Sequence, residues 1–199
     1  MEAILSLFGS IIVLDFQCID ECSKCCVERE YYPEIKFGKI GVLLLPKEKE
    51  LVETMAKKLG IKTTIFPRIG ISKETSSEPS VILAYQLMGK DADGNTCPFL
   101  DTESKERSPH GGYKCKIYDN RPVACKAYPL IESSPVTLDP KCKFCEVHKT
   151  ASGNINSEIE SLIQIKKEMY TDAPYIWRYA TGMGEEKHKG SIKTGWFLI

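Results

Sequence analysis

The apolar positions fall into short β-like runs and two longer stretches of helical period. Residues 11–16 are rich in β-branched side chains and read as a short buried strand. Residues 41–45 form a second apolar run, another strand or an extended lead-in. Pro46 then stands where a first-turn proline belongs. Leu51, Val52, Met55 and Leu59 follow at helical spacing, predicting a helix over residues 47–59, and Gly60 ends it. Pro67 keeps residues 61–71 out of a regular helix, so they are expected to be extended. Residues 72–80 are polar and read as an exposed loop, and residues 81–88 as a strand. The Asp91-Ala92-Asp93-Gly94-Asn95 turn signal predicts that residues 96–100 return antiparallel to that strand, a hairpin delivering Cys97.

Residues 102–112, with Pro109 and Gly111-Gly112, read as a loop, and residues 113–118 as a short extended segment carrying Cys115. A short helix over residues 122–127 is expected to carry Cys125, with Asp119 or Asn120 as its cap and Pro129 beyond its end. Cys142 and Cys145 are expected in a turn after Asp139-Pro140. Residues 156–170 are the second long helix, with Ile159, Leu162, Ile163, Lys166 and Met169 on one face and Ile165 widening it. The apolar end, residues 196–199, reads as a terminal strand. The pattern predicts the α+β class: one small domain over residues 1–199, with short strands and a few helices organised around a cysteine metal site.

Composition narrows the function classes. The chain has 199 residues, 27 Lys+Arg against 27 Asp+Glu, and no net formal charge. That balance lacks the electrostatic footprint of a nucleic-acid-binding protein. No apolar run approaches the roughly 20 residues that span a bilayer. Residues 3–14 resemble a secretory signal in hydrophobicity only: residue 2 is Glu, Asp15 interrupts the run, and no small-residue cleavage site follows. The expected compartment is therefore the reducing cytoplasm, where thiols bind metals rather than pair.

Cysteine is the abnormal quantity, with nine residues. Cys18, Cys22, Cys25 and Cys26 form C-x3-C-x2-C-C; Cys97, Cys115 and Cys125 stand alone; Cys142 and Cys145 form C-x2-C ahead of His148. An odd count argues against a closed disulfide framework. Gaps of two or three residues let a turn aim sulfurs at one ion, as in zinc and iron–sulfur loops. Adjacent side chains diverge in most backbone conformations, so only one of Cys25 and Cys26 is expected to reach a given metal with Cys22. The other is left for a second centre, a wall of the site or a reactive thiol.

The segment 97–129 adds Cys97-Pro98-Phe99-Leu100, then Cys115-Lys116-Ile117-Tyr118-Asp119-Asn120-Arg121-Pro122, then Cys125-Lys126-Ala127-Tyr128-Pro129. With the upstream cluster, this order resembles the CxxCxxCC, or YkgJ-like, cysteine-cluster family over residues 18–129. Its first gap has three residues where the family has two. Members are described as zinc- or iron-chelating domains, and the pattern is distantly similar to a flagellin lysine N-methylase associated with an iron–sulfur cluster. The resemblance implies a metal centre. Beside it, the residues suggest Cys22, Cys25 or Cys26, Cys97, Cys115 and Cys125 as one ligand set. Cys18, Cys142 and Cys145 are the core of a second, with His148 a replacement ligand. One site with spare cysteines is an equal alternative. Phe99, Leu100, Ile117 and Tyr118 are expected to dry the site, which strengthens hydrogen bonds to sulfur. Arg121 is expected to offset thiolate charge; its alternative is an ion pair with Asp119 or Glu132. Tyr128-Pro129 reads as packing.

Single scattered cysteines and Cys97-Pro98 favour a [4Fe–4S] cluster, with Zn2+ as the alternative. The chain has no phosphate loop, G-x-G-x-x-G, H-E-x-x-H or G-x-S-x-G motif, and His110, His148 and His188 share no motif relation. The Cys18, Cys22, Cys25 spacing superficially matches radical S-adenosylmethionine enzymes, but the alternating βα pattern of their barrel is missing. The function expected is metal binding with a redox or cluster-assisted role and an unknown protein or redox partner, with neither nucleic acid nor membrane. The alternatives are a zinc-stabilised binding module and a small modifying enzyme resembling the methylase, for which little chain is left outside the cysteine segments.

Overall fold

The computed structural model describes residues 14–15, 21–27, 37–90, 95–108, 111–143, 153–183 and 193–199. In chain order the elements are β1 (Leu14–Asp15), α1 (Lys24–Val27), β2 (Val42–Leu44), α2 (Pro46–Leu59), β3 (Ile65–Ser72), β4 (Val81–Leu87), β5 (Leu100–Asp101) and β6 (Lys114–Cys115). A 3-10 turn at Tyr118–Asn120 precedes α3 (Val123–Ala127), β7 (Leu130–Ser133), β8 (Val136–Leu138), β9 (Gly153–Asn154), α4 (Asn156–Glu168), β10 (Tyr175–Ala180) and β11 (Gly195–Leu198). The mixture is α+β, as the sequence predicts.

The main sheet has the order β11-β10-β3-β4-β2, and all its pairings are antiparallel. Directly paired residues share a face. Val42, Leu87 and Ile65 align across three strands, with Leu44 beside Tyr85 in the next row. This face meets Val52, Met55 and Ala56 of α2 together with Phe99, Leu100 and Ile117 from the cysteine segments. The cysteine segments are therefore part of the main core. On the opposite face Phe66 stacks with Tyr179 (centroids 6.1 Å apart), and Trp196 meets Tyr179 edge-on. Trp177 is buried and donates from Nε1 to Ser72 Oγ (3.0 Å), pinning β10 to β3.

α2 begins at Pro46 and stops at Gly60, whose φ of 65° lies in the left-handed region. Its N-cap is Leu45, which has no side-chain acceptor, so only half of a capping box forms: Glu48 accepts the Leu45 amide (2.9 Å). Pro67 sits inside β3 because the ladder to β10 covers only residues 69–72, and the ladder to β4 is irregular between Pro67 and Ile69. Residues 156–168 form α4 as expected, yet its buried side is Leu162 with Ile159 and Ile165, while Ile163 is exposed. α4 packs against α3 and β7.

The expected hairpin after β4 is corrected. Residues 96–100 do not pair with β4, whose neighbours are β3 and β2. The Leu100 amide donates to Cys97 O (3.1 Å), turning the chain at Pro98, and Leu100–Asp101 pairs with Lys114–Cys115 instead. The expected strand over residues 11–16 is described only at Leu14–Asp15, which pairs in parallel with Gly153–Asn154; its other residues lie outside the described ones. β10 and the β7–β8 hairpin have no counterpart among the predicted elements.

Candidate metal centre

Three cysteine-bearing segments meet at one end of the core. The first is Cys22-Ser23 followed by the single turn α1, in which the Cys26 and Val27 amides donate to Ser23 O (2.9 and 3.0 Å). The sulfurs of Cys25 and Cys26 lie 3.8 Å apart. The divergence expected of adjacent cysteines is thus absent: this short turn folds both thiols to one side. Two thiolates on one tetrahedral ion, each about 2.3 Å from it, would stand about 3.8 Å apart.

The second segment is joined to the first by the Cys97 amide, which donates to Cys26 O (2.7 Å). Cys97 is buried, and Phe99 behind it is fully buried. The third segment carries Cys115 opposite Leu100, and Lys116 N donates to Phe99 O (2.9 Å). Burial pushes the Cys115 thiol from its ordinary 9.0 up to about 11. The neighbouring Cys97 and Cys26 push the same way, while the Ile117 amide and the Arg121 charge oppose them. Cys97 and Cys26 therefore both lie within electrostatic reach of Cys115. Thiolates placed together in a desolvated corner repel, and a cation between them reverses that balance. Soft donors of this kind suit zinc or iron.

The Arg121 guanidinium stacks on Tyr118, 3.7 Å from the ring centroid, and its Nε donates to Tyr118 O (2.9 Å). Glu132, one of its two alternative ion-pair partners, is instead bound to Lys166 and to the amides of Ser133 (2.8 Å) and Ser134 (3.4 Å). Cys125 lies on α3, its amide donating to Pro122 O (2.8 Å). Cys142 is buried in the turn after β8, its amide donating to Asp139 O (3.0 Å). Pro129 is fully buried, in keeping with a packing role. Cys18, Cys145 and His148 lie outside the described residues.

The described thiols meet as a pair, Cys25 with Cys26, and as the neighbours Cys26, Cys97 and Cys115. Among the described residues no group of three or more His, Cys, Asp or Glu side chains is placed closely enough to hold a metal ion.

Three supporting residues escape a reading of the sequence. Ser23 Oγ accepts the Tyr113 amide (2.9 Å). Gly112 lies so close to the first segment that a Cβ there would meet Cys22 O at 2.4 Å and Ser23 Oγ at 2.7 Å. Glu48 Oε1 accepts the Val123 amide at the start of α3 (2.6 Å), doing what Asp119 or Asn120 is expected to do. Glu48 is recognisable as the third residue of α2, and Gly111-Gly112 as a flexible pair. Their distant partners leave no local signal.

A thiol-rich corner set into the core of a small α+β protein defines a metal-chelating class. Residues 17–152 match the family model CxxCxxCC, described as "Putative zinc- or iron-chelating domain". The chain belongs to this family, and the match extends past Pro129 to take in Cys142 and Cys145. No solved structure matches the chain. Among the described residues no helix is long and apolar enough to cross a membrane.

Proposed function

We propose that this metal-binding chain carries a [4Fe–4S] cluster with a redox or cluster-assisted role. Its ligands come from Cys22, Cys25 or Cys26, Cys97, Cys115 and Cys125. The observation that supports the reading is that Cys97, with Cys26 and Cys115 from two other segments, packs in one core cluster with Phe99, Leu100 and Ile117. Such a cluster takes one cysteine per iron and is tuned by burial and by charges near its sulfurs. The Arg121 charge, which opposes the rise of the Cys115 thiol, supports giving it that part. The cluster would supply one-electron chemistry; the chain's part is to hold it, keep it dry and set its charge. The reading implies a protein redox partner and a reducing, cytoplasmic setting.

The Cys25–Cys26 separation favours a second reading, in which both thiolates bind a single tetrahedral zinc ion. Anaerobic purification followed by an absorption spectrum and iron, sulfide and zinc analysis decides between them. A broad band near about 400 nm with matching iron and sulfide supports the cluster. A colourless protein with stoichiometric zinc replaces it with the second reading.

A further inference from the structure

The cysteine segments are joined through backbone atoms, and one of these junctions is unusually close. Gly112 presses on the carbonyl of Cys22 and the hydroxyl of Ser23 with no room for a methyl group. A Cβ at Gly111, whose φ is 79°, would lie 3.2 Å from the amide nitrogen of Glu21. Glu21 itself has a φ of 62°, in the left-handed region that few non-glycine residues occupy. Beside the close approach, the Tyr113 amide donates to Ser23 Oγ, and two residues further on stands Cys115. Within α1 itself, Cys26 O accepts the Cys97 amide. The loop preceding α1 is therefore seated against the strand of Cys115 by a steric match and a side-chain bond.

We propose that Gly112 and Ser23 are positioning residues of the metal centre. They form a seam that sets the Cys22–Cys26 segment against Cys115 before any ion arrives. Neither supplies a ligand; each acts through the backbone of a cysteine segment. The inference rests on the metal-binding reading of these cysteines. It assigns a role to the glycine pair and the serine that the cysteine pattern alone leaves blank. Supporting groups that orient ligands in this way are worth about 10–100-fold in metal affinity when they are removed.

The test compares Gly112→Ala, Ser23→Ala, Ser23→Thr and Gly60→Ala in the full chain. Gly60 is the control: its φ of 65° is left-handed, which Gly112 does not share, but a Cβ there meets nothing within 4 Å. Each metal-free protein is titrated anaerobically with cobalt(II) alone, following the thiolate-to-cobalt charge-transfer band. Alkylation of Cys97 and Cys115 in the same samples is timed by mass spectrometry. The expected result is that Gly112→Ala and Ser23→Ala weaken cobalt binding about 10–100-fold and speed alkylation of both cysteines. Ser23→Thr, which keeps the hydroxyl, should restore both readouts, and Gly60→Ala should leave both unchanged. Wild-type titration and labelling in Gly112→Ala and Ser23→Ala would overturn the proposal, as would an equal effect of Gly60→Ala. If the wild-type chain takes up no metal, the metal reading fails separately. The alkylation rates then decide the seam alone, with unchanged rates overturning it.

Discussion

The carboxylate of Glu48 bridges two helix starts: Oε2 accepts the Leu45 amide at 2.9 Å, and Oε1 accepts the Val123 amide at 2.6 Å. Both amides are among the donors that a helix leaves unsatisfied at its first turn, and the carboxylate is also favoured there by the helix dipole. One side chain thereby fixes α3, which carries Cys125, to α2, which covers the main sheet. Glu48→Ala is expected to cost about 2–3 kcal/mol for two charge-assisted bonds, lowering Tm by roughly 4–10 °C. Glu48→Gln keeps an acceptor oxygen and should lose less. Thermal unfolding followed by circular dichroism measures both; equal Tm values for wild type and Glu48→Ala would refute the bridge.

Gln86 gives the opposite sign. Its side chain is fully inaccessible on β4, opposite Leu43 and Phe66, and neither its Nε2 nor its Oε1 has a hydrogen-bond partner among the described residues. A buried amide left unsatisfied costs about 1–3 kcal/mol. Gln86→Leu, similar in volume, is expected to raise stability by about 1–2 kcal/mol, read as a higher urea midpoint at unchanged slope. A lower midpoint would show instead that the amide is satisfied, by a buried water or by a residue outside the described ones.

The elements read best from the sequence are those whose start, period and stop all lie in one stretch. Pro46, the apolar repeat and Gly60 mark α2 almost to the residue. β3 follows from Pro67, which keeps its segment out of a helix, and β4 from an apolar run. The hairpin expected after β4 failed because the Asp91–Asn95 signal is local, whereas Pro98 and the pairing of Leu100 with Cys115 decide where the chain goes. β10 was missed although Tyr175–Ala180 is rich in aromatics, because Arg178 interrupts its apolar run. In the candidate site, the cysteine pattern named Cys26, Cys97 and Cys115 as ligand candidates, and these three residues pack beside one another against the main core. The contacts that hold those segments in place, Ser23 with Tyr113 and Glu48 with Val123, span 90 and 75 residues and have no periodic trace.

Glu132 governs a pH dependence. Lys166 first, then the Ser133 and Ser134 amides, hold its carboxyl down from an ordinary 4.5 to about 2. A group held low in the folded state contributes stability that is full above its unfolded value and is lost as pH falls through the folded one. Stability is therefore expected to decline between pH 4.5 and about 2. Glu132→Gln should flatten this contribution. Both side chains are substantially exposed, so salt should weaken the effect. Urea midpoints across that range, at low and high salt, check it; identical profiles for wild type and Glu132→Gln would remove the ion pair from the account.

The two adjacent cysteines separate the readings of the metal centre. Cys26 packs against the same core cluster as Cys97 and Cys115, and its carbonyl holds the Cys97 amide, so Cys26 belongs to the corner where the three segments meet. Cys25 is joined to that corner through its sulfur's 3.8 Å approach to Cys26. A cluster that takes one thiolate per iron needs only one of the pair at this position, whereas a single tetrahedral ion can use both. Under the proposed cluster, Cys26→Ser is expected to abolish iron and sulfide incorporation, and Cys25→Ser to leave them near wild type. Under the zinc reading both substitutions weaken binding, because each removes one of four thiolates. Iron, sulfide and zinc contents of the two variants, purified anaerobically beside wild type, measure this. Full incorporation in Cys26→Ser would exclude Cys26 as a ligand under either reading.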